Sequence, residues 1–196
     1  MVDVRSRRGR KVFVVSGPSG AGKGTLIRGV MKYFPDLDVA ISATTRSPRS
    51  GEVDGREYYF RSNEQFDTHV ANGDFLEYVE FAGNRYGTLA SEIDRLHDQG
   101  KHVILELELN GALKVHDSDM DSVLLFIEPP DFAELERRLR TRASDTSEEI
   151  AQRMDVARSQ VDAKRHFDYV IVNDEQIRAI AELQAIMQQE LIPTTR

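Results

Sequence analysis

Residues 17–25 read Gly17-Pro18-Ser19-Gly20-Ala21-Gly22-Lys23-Gly24-Thr25 and follow the short apolar run Lys11-Val12-Phe13-Val14-Val15-Ser16. That order confines the chain to folds in which a buried strand delivers a glycine-rich turn to the start of a helix. Glycines at 17, 20, 22 and 24 let successive backbone N–H groups converge on phosphate oxygens with no Cβ in the way. The helix expected from Lys23 onward adds the positive end of its dipole, and Lys23 itself can reach β- and γ-phosphates. One place departs from G-x-x-x-x-G-K-[ST]. The hydroxyl that would ligate Mg²⁺ after the lysine is replaced by Gly24, and the nearest hydroxyl is Thr25. An ion there is expected to lean on phosphates, water and a remote carboxylate.

The 196 residues suit one α/β domain with inserted lobes. A net charge of −7 argues against a protein wrapped in nucleic acid, so any positive site must be local. With no cysteine, disulfides and thiolate nucleophiles are excluded, which fits a reducing cytosol. His69, His97, His102, His116 and His166 lack metal-binding spacing and read as solvated or capping residues. The basic start, Arg5 to Arg10, flows straight into a strand without the apolar h-region and cleavage site of a signal peptide, and no run approaches the roughly 18 apolar residues of a membrane span. These features predict a cytoplasmic protein without a membrane or nucleic-acid partner.

Apolar runs at Val12–Val15, Val103–Leu107, Val123–Ile127 and Tyr169–Val172 read as buried parallel strands, and helical periodicity between them gives a doubly wound α/β pattern. Helix starts are expected at Ser62-Asn63-Glu64-Gln65, at Asp131 after Pro129-Pro130, at Thr146-Ser147-Glu148-Glu149 and at Asn173-Asp174-Glu175-Gln176. Two intervals interrupt the rhythm. Residues 42–89 hold strand-like stretches at Arg56–Phe60 and Phe75–Phe81 and predict a β-rich inserted lobe. Residues 131–158 are charged and helical, with a polar turn at Ala143-Ser144-Asp145, and have the character of a lid. The core is then 10–41, 90–130 and 159–196, within a single domain over 1–196.

Arg46 and Arg49 flank Pro48, and both guanidinium forks could grip one dianionic phosphate. Arg138 and Arg142 stand at i,i+4 on one helix and Arg153 on the next. Taken singly, each arginine is an ordinary surface residue, and Glu134 offers Arg138 a helix salt bridge. Together they supply the several cations that phosphoryl transfer requires. Glu106 and Glu108 alternate along the strand from Val103, near the end where open α/β sheets bind ligands. Either a cationic side chain pairs with them, or Glu106 holds Mg²⁺ through water while Glu108 faces a substrate.

Several segments together resemble the guanylate kinases: Ser-x-x-Thr-Thr-Arg-x-Pro-Arg-x-Gly-Glu at Ser42–Glu52, Gly55-Arg56-Glu57-Tyr58-Tyr59-Phe60, Phe75-Leu76-Glu77-Tyr78 and Gly83-Asn84-Arg85-Tyr86-Gly87-Thr88. Phe126-Ile127-Glu128-Pro129-Pro130 and Val170-Ile171-Val172-Asn173-Asp174 also resemble family segments. The resemblance implies a doubly wound parallel sheet of the P-loop kinase type, a GMP-binding lobe at 42–89 and a helical lid at 131–158. It implies in-line transfer of the ATP γ-phosphoryl group to GMP with Mg²⁺. Arg46, Arg49, Tyr58 and Tyr86 would hold the GMP phosphate, while Ser42, Glu77, Thr88 and Glu108 surround guanine. Lys23, Arg138, Arg142 and Arg153 would clamp the transferring group, and Asn173 would lie near adenine. Where the family usually has Asp, this chain has Glu108, one methylene longer. A sugar-phosphate kinase of the same architecture is the rival enzyme, and Glu77, Ser42 and Thr88, suited to reading a base, argue against it. The other rival is a catalytically dead interaction module, against which the retained Lys23 and arginines count. No obligatory protein partner is expected.

Overall fold

The computed structural model describes residues 9–81, 83–118, 120–141 and 147–192. Strand β1 (Val12–Ser16) lies at the centre of a five-stranded parallel sheet with β2 (Leu37–Val39), β7 (His102–Glu106), β8 (Ser122–Glu128) and β9 (Tyr169–Val172), in the order β2-β7-β1-β8-β9. Successive β1 side chains point to opposite faces and seed two cores. Phe13 and Val15 pack under α1 (Lys23–Val30) and α7 (Gln176–Leu191), against Leu26, Ile27, Ala179 and Leu183. Val12 and Val14 pack on the other face with Ile93 and Leu96 of α3 (Ala90–Asp98) and Ala112 and Val115 of α4 (Leu109–His116). Helices on both faces make the sheet doubly wound.

A second sheet, in the order β4-β3-β6-β5, is built from β3 (Ala43–Thr44), β4 (Tyr59–Phe60), β5 (Phe75–Phe81) and β6 (Asn84–Leu89). It closes its own small core of Ala43, Phe66 and Leu89 under α2 (Asn63–Asn72). That helix starts at Ser62 as expected, and the structure shows a capping box there: the Ser62 side chain accepts from Gln65 N, and the Gln65 side chain accepts from the Ser62 amide. The strand expected over Arg56–Phe60 shrinks to Tyr59–Phe60. Arg56 turns instead, its amide donating to Val53 O, and the Glu57 carboxylate accepts from Val53 N at 2.8 Å.

Helices α5 (Phe132–Thr141) and α6 (Ser147–Gln160) pack on each other through Leu135, Leu139, Ile150, Met154 and Ala157, a cluster separate from both sheet cores. Asp131 caps α5 by accepting from Glu134 N at 2.7 Å. Thr146, Arg142 and the turn at 143–145 lie outside the described residues.

Candidate active site

The glycine loop leaves β1 at the sheet's C-terminal edge. Gly17, Gly20 and Gly22 have φ of +140°, +95° and +96°. A Cβ on Gly17 would stand 2.0 Å from the Ile127 carbonyl oxygen, so β8 and the loop can approach only at a glycine. The Lys23 ammonium curls back into the loop and donates to Gly17 O at 2.6 Å and Pro18 O at 3.2 Å. Its charge therefore stands where phosphate oxygens would arrive.

Three distant residues tie down the same loop. Asn173, 6% exposed just beyond β9, donates its amide to Ala21 O at 2.7 Å, in space left free because Gly22 has no side chain. Arg138 of α5 donates to Asn173 O at 2.8 Å and holds Glu134 at 2.7 Å. Arg153 of α6 donates to Ser19 Oγ at 2.7 Å. Asn173 and Arg138 line a cavity of about 480 Å³ with Gly20, Gly22, Thr25, Arg137 and Asp174.

A larger cleft of about 570 Å³ runs from the loop to the second sheet. Ser19, Gly20, Gly22, Lys23, Gly24, Thr25 and Arg153 line one end, and Ser42, Arg49, Tyr58, Glu77, Tyr86 and Glu108 the other, with Glu106 between them. Cross-strand pairing of β5 with β6 sets Glu77 opposite Thr88, which is 1% exposed. Glu77 Oε1 accepts from Thr88 N at 3.1 Å and Thr88 Oγ1 at 2.9 Å. Burial raises the Glu77 pKa, partly opposed by the two Thr88 hydrogen bonds and the Lys114 charge. Burial also raises the pKa of the Tyr58 phenol.

Arg46 does not line the cleft as Arg49 does. Its guanidinium pairs with Glu52 at 2.9 Å, 5.3 Å from the Tyr58 ring centroid, while the other Glu52 oxygen accepts from Arg49 N at 2.7 Å. The two remaining carboxylates do not share a strand as expected. β7 ends at Glu106, and Glu108 is the N-cap residue of α4 (φ −67°, ψ 157°), so strand alternation does not extend to it. Both reach the cleft because the chain turns at the sheet edge. Glu106 opens to the cleft with protein crowded behind it. Burial pushes its pKa up, and Lys23 and Arg28 pull it back.

The model of the guanylate kinase family matches residues 9–190. The chain is a member of the guanylate kinase family. It is 45% identical over 183 residues to a guanylate kinase of Rubrobacter xylanophilus, covering 93% of this chain and 95% of the relative. A Clostridium perfringens (strain 13) guanylate kinase is 42% identical over 179 residues, covering 91% and 83%. The crystal structure of guanylate kinase from Anaplasma phagocytophilum superposes with a TM-score of 0.74 at 27% identity, over 95% of this chain and 88% of that one.

Within this guanylate kinase fold, two residues escape a reading of the sequence, Arg28 lining the cleft and Glu52 behind the arginine motif. Arg28 lies one turn beyond Gly24, and a Cβ on Gly24 would stand 3.3 Å from Arg28 Nη1 and 3.6 Å from Glu106 Oε2. The i,i+4 spacing of a glycine and a cation on the loop's own helix is the signal that points to it. Glu52 presets Arg46 and the Arg49 backbone, and its place in the arginine motif is the corresponding signal.

Proposed function

We propose that the chain transfers the γ-phosphoryl group of ATP to GMP, giving ADP and GDP, by direct in-line displacement. Membership of the guanylate kinase family supports the activity. The observation that carries the choice of acceptor is the buried Glu77 carboxylate, held by Thr88 in the same cleft as Lys23. A carboxylate accepts from guanine N1–H and N2–H₂, whereas adenine presents an unprotonated N1.

In this reading Arg49, Tyr58 and Tyr86 bind the acceptor phosphate, and Arg46 joins them by exchanging Glu52 for phosphate. Ser42 and Glu108 flank the base, and Thr88 acts by fixing Glu77. Lys23, Arg138, Arg142 and Arg153 neutralise charge on the moving group, where catalysis consists of positioning and electrostatics. Asn173 closes the donor's base pocket. Helices α5 and α6 serve as a lid that excludes water.

Glu106, the carboxylate nearest Gly24, fits Mg²⁺ held through water and carried in on phosphates, since that ion keeps most of its hydration shell. Such an ion, when bound, neutralises the β- and γ-phosphates. We place the protein in the cytoplasm; among the described residues no helix is long and apolar enough to cross a membrane.

A coupled assay for ADP with GMP, AMP or no acceptor tests the assignment. GMP alone should support rapid turnover, and Lys23→Ala should lower kcat by on the order of 10³-fold without unfolding the protein. Equal use of AMP, or parental turnover by a folded Lys23→Ala enzyme, overturns it.

A further inference from the structure

Gly111 lies in the first turn of α4, buried, with Leu109 and Ala112 packed into the core around it. It is absent from the residues with positive φ, so its backbone conformation is one any amino acid adopts. A glycine inside a helix also forgoes the better helix propensity of alanine. Local structure therefore does not explain it. The space around it does. A Cβ at 111 would stand 2.7 Å from Glu77 Oε2 and 3.3 Å from Glu77 Cδ, while its next neighbour, Leu107 Cβ, is at an ordinary 3.6 Å.

The atom that would have to give way is the end of a side chain, and such ends usually move without difficulty. This one is pinned: Glu77 is 4% exposed, and its other oxygen holds both Thr88 hydrogen bonds. We propose that Gly111 is a positioning residue for base recognition, its missing Cβ forming the seat that holds Glu77 Oε2 between Thr88 and the purine edge. The inference rests on Glu77 reading guanine. The specificity of the cleft is then set jointly by β5, β6 and α4, and a single methyl group on α4 displaces the carboxylate.

Three variants, Gly111→Ala, Glu77→Ala and the double substitution, test it through steady-state kinetics and thermal melting. Gly111→Ala should lower kcat/KM for GMP at least about tenfold, the loss of one charged hydrogen bond, chiefly through KM. Its KM for ATP should stay within about twofold of the parent, because no donor contact moves. Its melting temperature should fall by no more than a few degrees, since the helix propensity of alanine offsets part of the cost of displacing Glu77. In the Glu77→Ala background the seat is vacant, the methyl group fits, and Gly111→Ala should cost nothing further. Parental GMP kinetics in Gly111→Ala, with Glu77→Ala impaired, overturn the role of Gly111 alone. Losses that multiply in the double variant do the same, because Gly111 would then act independently of Glu77. Parental kinetics in Glu77→Ala instead overturn the guanine reading on which the proposal stands.

Discussion

To read guanine as proposed, Glu77 has to be charged, yet burial favours its neutral form. Its folded pKa lies above the unfolded value, so its contribution to stability is present below the unfolded pKa and lost as pH rises through the folded one. At neutral pH the ionised side chain is a cost to folding, and Glu77→Gln should melt above the parent near pH 7, with the gap closing in acid. The same variant should lose at least about tenfold in kcat/KM for GMP, one charged hydrogen bond. In the parent, kcat/KM for GMP should fall on the acid side at a higher pH than an ordinary carboxylate would give, and Glu77→Gln should lack that limb. A parental acid limb in the variant would place the titrating group elsewhere. Gly24 offers a second test. A serine there sets its Cβ 3.3 Å from the movable tip of Arg28 and beside Glu106, and restores a hydroxyl for the ion. Gly24→Ser should reach half-maximal rate at less Mg²⁺, and Glu106→Gln should need more; superimposable titrations would remove Glu106 from metal binding.

At the scale of elements, what could be read from the sequence follows how local each signal is. β1, the loop and α1 are legible because glycine spacing and an apolar run lie side by side, and α2 because its capping box spans four residues. Strand β3 has two residues and exists through pairing with β4 and β6 far along the chain, so no run of apolar residues marks it, and β4 is legible only within the longer stretch Arg56–Phe60. The site follows the same rule. Arg46, Arg49 and Glu52 form one motif, whereas the contact of Gly111 with Glu77 joins a helix to a strand of the other sheet and leaves no local trace. Likewise α5 and α6 are legible as charged helices, but their grip on the loop is not: Leu135 and Leu139 would touch a Cβ on Gly20 at 3.0 and 3.1 Å. Leu139→Ala should therefore remove about 2–5 kcal/mol of packing from the α5–α6 cluster. Because that cluster is separate from the sheet cores, amide exchange should quicken over 132–141 and 147–160 while β1, β7 and β8 stay protected. Uniform loss of protection would show that the helix pair unfolds only with the whole molecule.

The two sheets are joined covalently at Ala40–Ser42 and at the passage from β6 to α3, and one buried carboxylate spans the junction. Glu92 of α3 accepts from Ile41 N at 3.1 Å in the connecting segment, from the Tyr59 hydroxyl at 3.1 Å in the second sheet, and from Arg95 at 2.8 Å on its own helix. Burial alone would raise its pKa, but the hydrogen bonds from Arg95, Ile41 and Tyr59 together bring it below the usual value. Such a group stabilises the fold above its unfolded pKa and loses that contribution as pH falls through the folded one. Glu92→Gln keeps the shape, breaks the ion pair and turns one acceptor into a donor facing other donors. Taking about 2 kcal/mol for a charged hydrogen-bond network, Tm should fall by roughly 4–8 °C at pH 7. The deficit should narrow in acid, as pH falls through the parent's lowered carboxylate pKa. The effect on activity distinguishes a hinge from a mere staple. The side of the cleft proposed to hold the acceptor has Glu77 and Tyr86 on strands of the second sheet and Arg49 and Tyr58 on its β3–β4 connection, and the glycine loop belongs to the first sheet. If Glu92 fixes the angle between them, the variant should show a KM for GMP raised several-fold with the KM for ATP unchanged, measured at a temperature where both proteins are fully folded. A lowered Tm with parental KM for GMP would confine Glu92 to holding the molecule together.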